Sequence, residues 1–226
     1  MNNKRTNFSL MRLVGIGIFA ALAIVISFLT SFIKVGFLSL DAGDIVIILG
    51  SFIYGPVAGI LMSLISSLFS LLYSGTLFWG FIMDFASSAA FAFIASFIYF
   101  RKKNFNFAII GIYSAVVAVT AIMMPLNILI TPLYTGATSE YVITLIPVLL
   151  LPFNFAKCLF NGGAVLLLYK PIVRAMRAAH LIAPSSAPTQ DATDSVKKSG
   201  STIPALIIGG ISVLLAVLAL ILLANR

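Results

Sequence analysis

Long apolar segments constrain this chain more than any other feature of its sequence. The first covers residues 10–32 and the last covers Ile203–Ala224. Charged residues make up 9% of the chain, whereas a soluble domain carries about 25%. In lipid a helix satisfies its own backbone hydrogen bonds, so segments of this length and composition are expected to be helical. The sequence therefore predicts an all-α polytopic protein whose surroundings are a lipid bilayer.

The apolar segments and the polar stretches between them predict three parts of the chain. Residues 1–177 form a six-helix membrane domain, residues 178–202 a flexible linker rich in Pro, Ser, Ala and Thr, and residues 203–226 an additional transmembrane helix. The six predicted helices cover residues 10–32, 45–54, 57–73, 77–100, 105–130 and 145–173, the last of them entered or interrupted at Pro152. Polar loops are predicted at residues 34–44 and 131–144.

The basic residues predict the orientation of the chain in a cell membrane. A cytoplasmic N-terminus places eleven of the fourteen Lys and Arg residues in cytoplasmic segments, as the positive-inside rule expects. The net charge of +8 is therefore explained by topology, and nucleic acid is not an expected partner. The loops at residues 34–44, 74–76 and 131–144 then lie on the outer face.

Lys157 is the only charged residue between residues 142 and 169. A charge inside a membrane helix costs roughly 3 kcal/mol on insertion scales, so it is expected to face a polar cavity or a partner. Asn154 and Asn161 fall on the same helix face as Lys157. The alternative for Lys157 is snorkelling to the interface. Asn161 lies deeper, and we interpret it as a helix-packing residue.

Two acidic residues allow both a functional and a structural interpretation. Asp84 lies inside the fourth predicted helix, with Gly80 four residues before it on the same face. An intramembrane Asp is a candidate functional residue, but near a helix N-terminus it can also complement the helix dipole. Asp44 is predicted to cap the second helix through its carboxylate.

Several kinds of chemistry are missing from the sequence. The chain has no Gly-rich phosphate-binding loop of the Walker type. Its only histidine, His180, lies in the predicted linker, and its only cysteine is Cys158. We therefore expect no catalytic site, no metal site and no resident cofactor, and we expect a binding or transport protein rather than an enzyme. No internal repeat of the kind found in secondary transporters is present.

Four sequence motifs resemble one family of membrane proteins. They are small residues four apart in the first helix (Gly17 and Ala21), the segment Leu-Ser-Leu-Asp-Ala-Gly-Asp-Ile at residues 38–45, Met-Pro-Leu-Asn at residues 124–127, and Pro-Phe-Asn-Phe-Ala-Lys at residues 152–157. Together they resemble the substrate-binding S components of energy-coupling factor vitamin transporters, and most closely the riboflavin-specific members. The match covers residues 10–177. It departs from the riboflavin pattern around residues 42–46, and the last helix lies outside it.

The resemblance implies a function and a set of partners. An S component captures a vitamin at the outer face and docks through its first helix on a transmembrane coupling subunit that carries two ATPase subunits. Gly17 and Ala21 would form that contact, because small residues let another helix approach closely, although Gly and Ala are also simply frequent in membrane helices. ATP-driven reorientation then releases the vitamin inside.

The resemblance also implies site residues. Asn127, Asn154 and Lys157 match polar contacts to riboflavin, and the backbone around Leu40 and Gly80 gives weaker candidates. The amides offer donors and acceptors and the ammonium offers donors only, which suits the polar rim of a flavin ring. Other vitamins (FMN, pantothenate, folate or thiamine) and a membrane scaffold without a ligand remain alternatives.

Overall fold

The computed structural model describes residues 3–178 and 203–225, and these form a bundle of eight helices. The helices are α1 (Asn3–Thr30), α2 (Gly43–Tyr54), α3 (Pro56–Ser70), α4 (Leu77–Lys102), α5 (Phe105–Thr135), α6 (Ser139–Leu145), α7 (Leu151–Ala178) and α8 (Ile203–Ala224). A π-helical turn, Ile146–Leu150, joins α6 to α7, and a two-stranded hairpin, β1 (Lys34–Val35) and β2 (Leu38–Ser39), follows α1.

Within residues 3–178 and 203–225, five helical segments are long and apolar enough to cross a membrane. They are Leu10–Thr30, Phe78–Lys102, Phe105–Thr135, Ser139–Ile172 and Leu206–Ala224. The apolar helices α2 and α3, of 12 and 15 residues, are each shorter than the roughly 30 Å hydrocarbon core at 1.5 Å of rise per residue. The prediction of an all-α polytopic membrane fold is confirmed.

The connections between the helices distinguish two ends of the bundle. The hairpin end carries the β1–β2 hairpin, the turn at residues 71–76 and the turn at residues 136–138, and the basic end carries Arg101, Lys102 and Lys103. At the basic end, Gly55 has a φ of 102° and separates α2 from α3, a conformation that glycine adopts without steric cost. Arg12 of α1 donates a hydrogen bond to the carbonyl of Tyr54 there, at the C-terminal end of α2.

The core between the helices is apolar and includes Ile47, Met62, Phe91, Ile112 and Val165, all fully or almost fully buried. The four serines of the predicted serine-rich face on α3 are buried as well: Ser63, Ser66, Ser67 and Ser70. Small buried side chains let α3 lie close to its neighbours.

The polar loop predicted over residues 131–144 is wrong in extent. Helix α5 continues to Thr135, and α6 begins at Ser139. Pro132 removes one backbone donor but lies inside α5 and does not end it. The helix ends at Gly136, which has a φ of 72° and whose amide donates to the carbonyl of Pro132 at 3.0 Å. Thr138 then caps α6 by accepting from the amide of Tyr141.

Of the two alternatives predicted at Pro152, the start of a helix agrees with the structure, because α7 begins at Leu151, and the interruption lies a few residues earlier. The irregular segment is the π-helical turn at Ile146–Leu150, and Pro152 occupies the first turn of α7, where a missing backbone donor costs little. A π-helical turn inside an α-helical segment is frequent at functional sites. This one lies a few residues before Asn154.

The segment predicted as an open loop at residues 34–44 contains the short hairpin. Lys34 pairs with Ser39 and Val35 with Leu38 around Gly36. The sequence signal for it was weak because each strand has only two residues.

The last predicted helix is present as α8, and it packs along α7. Gly163 of α7 and Gly209 of α8 lie where the two backbones approach, since a Cβ added to either would lie within 3.0 Å of the other's carbonyl oxygen. Tyr113 of α5 and Ser212 of α8 share a hydrogen bond of 2.6 Å. The predicted linker lies outside the described residues, except for Ala178.

Candidate functional site

A cavity of about 230 Å³ lies at the hairpin end of the bundle. The hairpin, the turn at residues 71–76 and helices α4, α5 and α7 all contribute to its lining. Its apolar and aromatic walls are formed by Phe32, Phe37, Leu38, Tyr73, Met83, Met123, Tyr134 and Phe153. An apolar enclosure with a few placed polar groups is typical of a small-molecule site.

The hairpin and the end of α5 meet at this cavity through aromatic rings. The rings of Phe37 and Tyr134 are 6.4 Å apart at an interplanar angle of 65°.

Tyr73 comes from the turn after α3, and burial, together with the carboxyl groups of Asp41 and Asp84, raises the pKa of its phenol to about 12. The phenol of Tyr73 is therefore protonated at neutral pH and keeps its hydrogen-bond donor.

Helix α7 contributes two of the predicted polar residues, Asn154 and Lys157, and both line the cavity. Nδ2 of Asn154 donates to the carbonyl of Leu150 at 2.8 Å, which ties the side chain to the last residue of the π-helical turn. Among the described residues, none donates to Oδ1 of Asn154. That oxygen is an available acceptor next to the cavity.

Lys157 is buried and has an acidic partner that no local sequence pattern indicates. Its Nζ lies 3.8 Å from Oδ2 of Asp44, and both side chains are less than a tenth exposed. Asp41 and Asp84 also contribute favourable electrostatic interactions with the ammonium. The snorkelling alternative does not fit this burial.

Asp44 does not cap α2 as predicted. The N-cap residue is Ala42, whose side chain makes no capping hydrogen bond. The Asp44 carboxylate accepts from Ser88 of α4 and, at 3.2 Å, from Nδ2 of Asn161. The capping prediction was wrong because Asp44 lies inside the first turn of the helix and does not precede it. The group that resembles a cap is Asp41, whose Oδ1 accepts from the amide of Gly43 at 2.8 Å and from Ser27 at 2.6 Å.

Asn161 connects α7 to the segment before α2. Its Nδ2 donates to the backbone carbonyl of Asp41 at 2.8 Å as well as to Asp44. The residue is fully buried and does not line the cavity. This position agrees with its interpretation as a helix-packing residue.

Asn127 reaches the cavity from α5. Its Nδ2 donates to the carbonyl of Met123 at 2.7 Å, and its Oδ1 accepts from Thr131 at 3.1 Å. The side chain is fully buried, so its orientation is fixed by these contacts. The cavity therefore brings together Asn127, Asn154 and Lys157 from two helices.

The fourth helix adds Gly80 and Asp84 to the lining. Oδ2 of Asp84 accepts from Ser70 of α3 at 3.3 Å. Gly80 lies beneath the turn, because a Cβ added there would meet the hydroxyl of Thr76 at 1.9 Å and that of Ser74 at 2.9 Å. Asp84 thus lies beside the cavity.

Leu40 is the one predicted ligand contact that does not line the cavity. Its side chain is buried, and the residues just before it, Phe37, Leu38 and Ser39, line the cavity instead. The hairpin region thus contributes residues 37–39, and not Leu40, to the lining.

The predicted coupling residues, Gly17 and Ala21, lie away from this cavity on an exposed face of α1. A Cβ added to Gly17 would meet no atom within 4 Å. Large apolar side chains on the same helix are exposed too, among them Leu13, Ile18 and Leu22.

The described residues contain no group of three or more His, Cys, Asp or Glu residues arranged to hold a metal. The polar groups of the cavity include two amides, the buried ammonium of Lys157, the phenol of Tyr73 and the carboxyl group of Asp84. Such a set can bind a flat, mostly apolar molecule that carries several hydrogen-bonding atoms on its rim.

Known proteins share both the sequence pattern and the fold of this chain. The profile of the family described as "ECF transporter, substrate-specific component" matches residues 11–173. The riboflavin transporter RibU of Staphylococcus aureus (strain TCH60) is 28% identical over 174 residues, which cover 74% of this chain and 92% of that protein.

A solved structure described under the words "Structure and mechanism of the S component of a bacterial ECF transporter" matches with a TM-score of 0.64 and 28% identity, covering 74% of this chain and 97% of that one. The matched region of the profile ends before α8. The family is a transporter component rather than an enzyme. The chain belongs to the substrate-specific components of ECF transporters.

Proposed function

We propose that this protein captures riboflavin at the outer face of the cell membrane and delivers it to an energy-coupling module. The observation that carries the proposal is the meeting of Asn127, Asn154 and Lys157 at one cavity with aromatic walls. Its 28% identity to a riboflavin transporter supports the same ligand. The vitamin is the transported ligand, and no resident cofactor is proposed.

The charges around the cavity favour an uncharged acceptor at Lys157. The ammonium already has Asp44 at 3.8 Å, and Asp84 lines the same cavity. An anionic group would have to approach these carboxyl groups, whereas a ring carbonyl or ring nitrogen needs only a donor. The isoalloxazine ring offers such acceptors, and this argues against pantothenate and folate, which carry carboxylates.

We further propose that the N-terminus is cytoplasmic and that the hairpin end faces outward. The basic residues of the α4–α5 connection, Arg101, Lys102 and Lys103, support this orientation. The proposed partners are an energy-coupling factor transmembrane subunit, contacted through Gly17 and Ala21, and two ATPase subunits. Residues 1–177 would be the vitamin-binding domain, residues 178–202 a linker and residues 203–226 an added helix.

The direct test is binding by the purified protein. Riboflavin fluorescence is expected to be quenched on titration with the protein in detergent, with saturation at one ligand per chain. Thiamine, pantothenate and folate serve as comparison ligands in competition with riboflavin. Absence of quenching would contradict the proposal, and binding of thiamine in its place would indicate that Asp84 selects a cationic vitamin.

A further inference from the structure

The carboxylate of Asp44 lies behind the cavity and is held by three elements. It belongs to α2, accepts from Ser88 of α4 and from Asn161 of α7, and lies 3.8 Å from the ammonium of Lys157. It does not itself line the cavity, whereas Lys157 does. Asp44 can therefore affect a ligand only through Lys157 and through its charge.

Two physical effects follow from this arrangement. The hydrogen bonds to Ser88 and Asn161 fix the carboxylate, and the carboxylate holds the ammonium, so the donors of Lys157 are kept near one place. The negative charge of Asp44 also compensates the positive charge of Lys157. A buried charge without such compensation would attract any anion in the cavity, because solvent screens buried pairs much less than exposed ones.

Resting on the riboflavin-binding function proposed above, we propose that Asp44 is a positioning and specificity-determining residue. Because the negative charge of Asp44 compensates that of the ammonium, Lys157 donates hydrogen bonds to uncharged acceptor atoms and does not favour anions. The site thereby prefers riboflavin over phosphorylated flavins, although both carry the same ring.

Other charged groups near the cavity do not replace Asp44 in this role. Lys34 lines the cavity, but its side chain is exposed, so water and salt screen its charge. Asp84 lies on the lining and Asp41 before α2. Both interact with Lys157 electrostatically, but only Asp44 lies within ion-pair distance of it among the described residues.

The test compares two flavins that differ by a phosphate. Affinities for riboflavin and for FMN are measured by fluorescence quenching for the wild-type protein and for Asp44→Asn, Lys157→Gln and Ser88→Ala. Asp44→Asn is expected to shift the affinity ratio toward FMN by about tenfold, because it removes the negative charge that lies within ion-pair distance of the ammonium. Lys157→Gln is expected to shift the ratio in the opposite direction, since it leaves the carboxylate alone.

Ser88→Ala is the matched control, because it removes a hydrogen bond to Asp44 and keeps every charge. It is expected to weaken both flavins and to leave their ratio within about twofold. A purely structural role for Asp44 would likewise weaken both ligands in parallel. The ratio thus separates charge compensation from loss of structure.

The outcomes separate this inference from the function on which it rests. A wild-type protein that binds neither flavin overturns both. A wild-type protein that binds riboflavin, with a ratio unchanged in Asp44→Asn and Lys157→Gln, overturns the inference alone. If Asp44→Asn does not fold, Lys157→Gln still tests the inference. An affinity ratio that is unchanged in Lys157→Gln, or that shifts toward FMN, contradicts the proposed charge compensation.

Discussion

Asn154 offers its amide in two directions. Nδ2 is used within the helix, where it donates to the carbonyl of Leu150 at 2.8 Å, and Oδ1 has no donor among the described residues. A ligand N–H can therefore bind Oδ1 without displacing a protein contact.

Truncation of Lys157 would be a less clear test of the site than truncation of Asn154, because it would leave the buried Asp44 without its ionic partner.

Asn154→Ala is expected to weaken riboflavin binding by about 0.5–1.5 kcal/mol, the net contribution of one hydrogen bond. Fluorescence quenching measures the change. The matched control is Asn104→Ala at the other end of the bundle, where Asn104 caps α5 by accepting from the amide of Phe107 at 2.9 Å. That variant is expected to lose about 1 kcal/mol of stability and to bind riboflavin unchanged. Equal affinity of Asn154→Ala and the wild-type protein would remove Asn154 from the site.

Residue types alone marked part of the candidate site. A lysine and an asparagine on one face of an apolar helix are costly in lipid, and this cost marked Asn154 and Lys157 as candidates. Asn127 was added as a ligand contact by the family resemblance. The partner of Lys157 was missed because Asp44 is more than a hundred residues away in the sequence and resembles a helix cap. No local pattern distinguishes a capping Asp from one that faces a distant helix.

At the scale of the elements, the length of the apolar segments predicted the helices. The polar and turn-forming residues, however, gave wrong positions for the end of α5 and the start of α6. The polar residues between 131 and 144 indicated a loop, yet Gly136 and the Thr138 cap reduce it to three residues. The π-helical turn at Ile146–Leu150 was not predicted, although Pro152 marked an irregularity close to it. The hairpin was missed because its strands are too short to show alternation.

Helix α8 is attached to α7 by close backbone contact, and the two adjacent glycines of α8 provide a matched pair to test it. A Cβ on Gly209 would meet the carbonyl oxygen of Gly163 and Cγ of Leu167, both at 2.9 Å, whereas a Cβ on Gly210 would meet nothing within 4 Å. In lipid such packing is the main force between helices. Gly209→Leu is therefore expected to destabilise the protein by about 1–3 kcal/mol, the usual cost of overpacking.

Gly210→Leu is expected to change the stability by no more than about 0.5 kcal/mol, as for a surface substitution. Thermal unfolding of the two variants in the same detergent gives the comparison. If both variants unfold at the same temperature as the wild-type protein, α8 does not depend on the Gly163–Gly209 contact.

For the whole molecule, the ligand cavity and the exposed small-residue face of α1 are separate surfaces. The cavity lies at the hairpin end, and none of its lining residues is Gly17 or Ala21. Binding of the vitamin and docking on a coupling subunit would therefore use different residues of one chain. Because the two surfaces are separate, a substitution can impair docking without impairing vitamin binding, or the reverse.

Gly17→Leu is the substitution that tests docking most directly. A Cβ at residue 17 meets no atom within 4 Å, so the folded protein and its riboflavin affinity are expected to stay unchanged. Uptake of riboflavin by cells that contain the coupling subunits is expected to fall to background, because a large side chain prevents close approach of another helix. Leu22→Phe adds bulk elsewhere on the exposed surface of α1 and is expected to transport normally. Normal uptake by Gly17→Leu would show that the coupling subunit docks on another face, and loss of uptake in both variants would show that the whole of α1 is in contact with it.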